Sequence, residues 1–246
     1  MLRLKKFVLL PLVLLLVSLL GGCVRYDVGI DFRGQHHGTI VQHITLSDRL
    51  TALSQSEADK WLDSVDQRAK QLKGKAQRIS PKEIIVLIPF GNGQDLVKKF
   101  NQFYNPNTPI KSTEAENLDI LQLQAKMAIK QNNWLLFERN RLELDVDLRA
   151  LGILSNQGNI IVSPGSLVDI DFRLQTPWGS RDLTSTAEQS ENRAVWHLQP
   201  GEINHLDAVF WTPSFLGWGT VAIILLTIAG FIAKYGRLPG VPSLKA

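Results

Sequence analysis

The sequence predicts an α+β domain, a mainly antiparallel sheet with two helices packed on it, followed by one C-terminal transmembrane helix. Three observations carry that expectation. Many short segments alternate apolar and polar residues, the pattern of strands buried on one face. Two segments repeat apolar residues at helical spacing. One late run, Phe215 to Ala233, holds no charge.

The chain begins with a basic stretch, Arg3, Lys5 and Lys6, and continues into Phe7 to Leu20, apolar except for Pro11 and Ser18. As helix that run is roughly 21 Å long, short for a bilayer core of about 30 Å. It fits the h-region of a signal peptide over residues 1–22. Leu20-Gly21-Gly22-Cys23 follows, a bacterial lipobox whose cysteine would carry the diacylglycerol. Cys23 is the only cysteine, so internal disulfides and multi-cysteine metal sites are excluded.

Residues 23–210 form the expected extracytoplasmic domain, about the size of one domain or two small ones. Val24 to Phe32 alternates, with Tyr26, Val28, Ile30 and Phe32 on one face. Turn residues 33–38 lead to a second strand with Ile40, Ile44 and Leu46, a hairpin expected near the membrane because it starts at Cys23. A helix start at Ser56 precedes Ala58, Trp61, Leu62, Val65, Ala69 and Leu72, and Gly74 ends it. Glu83 to Phe90 reads as a strand; Gly91-Asn92-Gly93 breaks to a short helix over about 94–104. After a Pro- and Asn-rich connection, Leu121, Leu123, Ala125, Met127 and Ile129 share a strand face, and Asn132-Asn133 turns the chain. Trp134 to Arg149 returns, followed by strands at Ile160 to Val162 and Val168 to Leu174. Residues 176–192 read as a polar loop, and Ala194 to Leu198 and Leu206 to Trp211 as the last strands around Pro200-Gly201.

Within the span, 214–233, the uncharged run Phe215 to Ala233 is roughly 28 Å long as helix, enough to cross a bilayer. Trp211 and Trp218 stand where it begins and Tyr235 where it ends, as interfacial aromatics do. Lys234 and Arg237 then make the tail, 234–246, cytoplasmic by the positive-inside rule. The net charge of +4 belongs to the two ends. Residues 24–210 carry 21 Lys and Arg against 23 Asp and Glu, so no nucleic-acid partner is implied.

Candidate chemistry is sparse. His36, His37 and His43 cluster near the first turn without a recognised ligand spacing, and a solvated turn accounts for them. Asp145 with Asp147, and Asp169 with Asp171, are carboxylate pairs that could do acid–base work. They alternate with apolar residues, so a solvated sheet face explains them. Gly91-Asn92-Gly93 lacks the Lys-Ser/Thr of a phosphate loop. No catalytic residue, cofactor or metal ligand emerges. Phe100, Phe103, Tyr104 and Trp178 are the candidate ligand-facing aromatics, able to meet a lipid or a partner if exposed and serving as core if buried. Gly217, Gly219 and Gly230 would allow close helix approach within a membrane complex.

The lipobox cysteine running into a hairpin, the stretch Asn192-Arg193-Ala194-Val195-Trp196-His197-Leu198-Gln199-Pro200-Gly201-Glu202, and the closing span with its basic flank resemble a family of uncharacterised cyanobacterial and plastid lipoproteins of unknown function. The layout is similar to that of LppM-like lipoproteins. That resemblance implies an α+β domain with an apolar, lipid-holding cavity and supplies no catalytic residues. The expectation is a non-enzymatic lipoprotein on the outer face of the inner (plasma or thylakoid) membrane, binding membrane lipid or scaffolding a membrane-protein complex. The alternatives are an envelope lipid- or glycan-modifying enzyme and a membrane-protein assembly factor.

Overall fold

The computed structural model describes residues 24–35, 37–47, 55–105, 124–151, 153–154, 160–161 and 168–235. The signal peptide, Cys23, His36, Leu121, Leu123, Val162, Arg237 and most of the tail lie outside them. Within them the chain is α+β, its strands mostly antiparallel.

Alternation becomes β1 (Val24–Gly34) and β2 (His37–Leu46), paired antiparallel along their length. The polar segment Gln55–Gln71 is helix α1, which buries Ala58, Trp61, Leu62, Val65 and Ala69 as the spacing predicts. It ends on Lys73, not Gly74, in the left-handed region (φ 60°). Gly74 N–H then reaches back to Ala69 O at 2.8 Å, closing a Schellman-type cap. Glycine is needed there for closeness: a Cβ would lie 2.8 Å from both Ile88 Cγ1 and Leu87 O.

Strands β3 (Lys75–Ser80) and β4 (Glu83–Phe90) lead to α2 (Gly93–Tyr104). Next come β5 (Gln124–Trp134), β6 (Phe137–Asp147) and the short pair β7 (Ile153–Leu154) and β8 (Ile160–Ile161). The rest are β9 (Val168–Gln175), β10 (Ser180–Asp182), β11 (Glu188–Ser190), β12 (Arg193–Leu198) and β13 (Ile203–Pro213). The polar loop expected over 176–192 therefore contains two strands. Both are too short to show a period, and each is held by pairing with a longer neighbour, β10 on β13 and β11 on β12. The turn expected at Asn132-Asn133 lies instead at Leu135-Leu136, since Trp134 pairs with Phe137. That register sets Met127 opposite Leu144 and Ile129 opposite Leu142.

Described strands form a seven-stranded sheet, order β11-β12-β9-β1-β2-β4-β3, and a four-stranded sheet, order β10-β13-β6-β5, besides the β7–β8 pair. Their apolar faces meet: Phe32 of β1 packs on Phe210 of β13 with ring centroids 4.6 Å apart. Helix α2 covers the free edge of β5. Asn101 accepts from Met127 N–H at 2.7 Å and donates to Met127 O at 3.0 Å, and Asn105 donates to Ala125 O at 2.7 Å. Two asparagines thus take the place of a further strand and shield an edge open to mispairing. Strand β13 passes through Ser214 into α3 (Phe215–Tyr235), the one described helix long and apolar enough to cross a membrane.

Candidate functional site

On the outer face of the large sheet, strand register makes a row that no single segment shows. The parallel pairing of β1 with β9 sets Asp27 beside Asp171. His43 of β2 lies opposite Asp27, and His197 of β12 opposite Asp171. His197 Nδ1 is 2.6 Å from Asp171 Oδ1, and His43 Nε2 is 2.6 Å from Glu83 Oε1. Arg25 reaches Asp27 and Asp171 at 3.5 Å each, and Arg173 reaches Asp27 at 3.5 Å. Asp171, expected on a solvated face, is only 7% exposed, and Asp27 8%. The cations across the row cover them. Hydrogen bonding to Asp171 is the main cause holding the His197 imidazolium above its ordinary pKa.

Asp145 and Asp147 do face solvent. Asp145 meets His205 at 2.5 Å, and Arg149 grips Asp147, whose carboxyl falls to about 2 through that hydrogen bond. His37 and His43 sit six residues apart on one strand, roughly 20 Å, and do not converge. Among the described residues no group of three or more His, Cys, Asp and Glu is placed to hold a metal ion. The N-terminus of α2 is filled from within: Asn92 accepts from Asp95 N–H at 2.8 Å, and Asp95 accepts from Gly91 N–H at 2.9 Å.

The four candidate aromatics divide. Phe100 and Phe103 are buried, and Tyr104 packs on both with centroids 4.6 and 5.3 Å away. Phe100 and Tyr104 help line a small apolar pocket between the sheets, together with Val28, Leu144, Phe172 and Leu198. Its volume is about 20 Å³, room for a single water and far from that of a ligand pocket.

Trp178 lies apart from them, where α3 leaves the domain. It is 52% exposed and stacks edge-on against Phe137 at 5.5 Å, which in turn meets Trp218 of α3 at 6.0 Å. The tip of the β5–β6 hairpin adjoins them: Ser214 N–H donates to Leu136 O at 2.9 Å. There Trp134 is 66% exposed and Leu135 65%. Phe215, Leu216 and Trp211 are exposed close by. Sequence reading marked Trp178, Trp211 and Trp218 but passed over Trp134 and Leu135. The available signal was an apolar Trp-Leu-Leu directly after two asparagines.

A family model described as Protein of unknown function (DUF3153) matches residues 28–238. No curated protein matches the sequence. The folded domain of LppM from Mycobacterium tuberculosis, solved by NMR, is similar, with a TM-score of 0.43, 9% identity, and coverage of 79% of this chain and 93% of that one.

Proposed function

The chain belongs to the DUF3153 family of proteins of unknown function, and from that premise we propose a non-enzymatic lipoprotein held on the outer face of the inner (plasma or thylakoid) membrane. Its sandwich is a scaffold for a membrane-protein complex and meets lipid at its surface. One observation carries the reading: β13 runs with only Ser214 between into an apolar 21-residue helix, and exposed aromatic side chains crowd that junction. Two further features support it. The apolar space between the sheets, about 20 Å³ among the described residues, is too small for an acyl chain. The acids of the charged row are tied to cations, which suits a rigid surface better than proton transfer.

Cys23 takes the lipid in this reading and α3 is the permanent anchor, with the tail from Lys234 in the cytoplasm. Purification of the full chain from native membranes in mild detergent tests it, with mass spectrometry of retained proteins and of Cys23. The expected result is an acylated Cys23 and a defined protein partner. A chain that comes away alone, or one whose Asp171→Asn variant loses an envelope-modifying activity, overturns the scaffold reading.

A further inference from the structure

The end of the sandwich from which α3 leaves is more apolar than folding requires. We infer that the β5–β6 hairpin tip, Trp134 and Leu135, together with Trp178, is a seat for the phospholipid bilayer, embedded at the headgroup level of the leaflet that α3 enters. The inference rests on α3 being the membrane span.

Leu135 gives the first argument. It holds φ at +50°, a region that disfavours side chains other than Asn, Asp or Gly. Two-residue hairpin loops ordinarily place Asn-Gly or Gly at such positions. This loop has a leucine, largely exposed, beside an exposed tryptophan. Neither backbone geometry nor core packing rewards that choice. Burial in a phase outside the domain does.

Attachment gives the second argument. The first turn of α3 presses on the tip so closely that a Cβ built on Gly217 would lie 1.7 Å from Leu135 O. With the Ser214–Leu136 hydrogen bond, this contact fixes the tip at the level where α3 begins. Trp218, three residues into α3, is roughly 5 Å further along its axis. The stack Trp178–Phe137–Trp218 joins domain to helix at that same level. Tryptophan favours the membrane–water boundary, with its ring in the apolar region and its N–H in the wet one. A surface continuous with a membrane span, set at its first turn, faces lipid before any protein.

The test uses residues 23–246 carrying Cys23→Ser, free of the apolar signal peptide, with one new cysteine at Leu135, Trp178 or Thr45 bearing an environment-sensitive fluorophore. The chain is reconstituted into phosphatidylcholine–phosphatidylglycerol vesicles whose acyl chains are brominated near the headgroup. The labels at 135 and 178 are expected to lose much of their emission to bromine, since they sit at the interface where tryptophan is enriched, and the label at 45 almost none. Labels left unquenched in a protein that resists alkaline extraction overturn the seat while leaving the span intact. A protein stripped by alkali overturns both. Labels shielded only when other native membrane proteins are present assign the patch to a protein and overturn the lipid seat. Leu135→Asn supplies a second measure. It is expected to leave the thermal midpoint unchanged or higher, while reducing bromine quenching of the Trp178 label. A lowered midpoint makes Leu135 a structural residue and sinks the inference.

Discussion

At His197 a hydrogen bond becomes a pH dependence. Asp171 accepts from the ring at 2.6 Å and Glu188 lies 3.5 Å from its other nitrogen, so the folded-state pKa stands above the ordinary 6.5. A raised value means that folding stabilises the protonated form. That contribution is complete below about pH 6.5, the unfolded value, and is lost as pH rises through the folded one. The ring is half exposed, so solvent screens the effect and its size is modest. The thermal midpoint of the wild type should exceed that of His197→Gln at pH 6, and the gap should narrow by pH 8.5; a gap that widens with pH refutes the assignment. Gly217 makes a steric prediction. Gly217→Ala forces a methyl onto Leu135 O and should cost about 1–3 kcal/mol of the α3–hairpin contact, visible as faster hydrogen exchange at the Ser214 amide. Gly219→Ala and Gly230→Ala should change nothing there, since a Cβ at either meets no atom within 4 Å. Those two glycines remain free for another helix, while Gly217 is already taken by the chain's own hairpin.

Helix α2 shows how an element is held where its sequence period alone would not place it. Its amphipathic face buries Leu96, Phe100 and Phe103, its N-terminus is closed by Asn92, and its far side is pinned to β5 through Asn101 and Asn105. Asn92→Ala should lower stability by about 1 kcal/mol, read as a shift in denaturant midpoint with unchanged slope. Elements with long alternation, such as β1, β6 and β9, were legible because one wetted face and one buried face leave a period of two. β3, β10 and β11 were not, because polar edge strands are specified by the neighbours they pair with. The Asn132-Asn133 turn was misread for a related reason. A turn there would set Met127 against Glu138 instead of Leu144, and cross-strand burial outweighs local turn preference. Within the charged row, alternation marked Asp171, but its union with Asp27 depends on a parallel pairing across more than a hundred residues of chain, which no local pattern encodes. The exposed aromatic tip was hidden in the same way, because its apolar residues acquire meaning only once β13 and α3 are placed beside them.

Across the whole molecule, the two proposed anchors leave from opposite ends of β1. The strand runs 11 residues, Val24 to Gly34, so its ends are roughly 33 Å apart. At the Gly34 end the ring of Phe215 is close enough that a Cβ on Gly34 would lie 3.4 Å from it. At the other end Val24 is paired on both sides, with Leu46 and with Val168. Cys23 immediately precedes Val24 in the sequence, one peptide unit of about 3.8 Å along the chain. The β1–β2 hairpin, expected beside the membrane at its Cys23 end, comes close to α3 at its turn. An acylated Cys23 and α3 can share one leaflet only if β1 lies nearly along the membrane surface. In the lipidated protein Cys23 has no free thiol, so a fluorophore on Thr45→Cys, opposite Arg25 at the Val24 end, reports that end alone. Bromolipid should quench it in the acylated chain and spare it in residues 23–246 with Cys23→Ser, which lack the apolar signal peptide and let the domain pivot upright on the hairpin tip, with the Leu135 and Trp178 positions quenched in both. Equal distance of Thr45 from the lipid in the two proteins would mean that position 23 holds nothing in that leaflet and that α3 with its collar of aromatic side chains is the sole attachment.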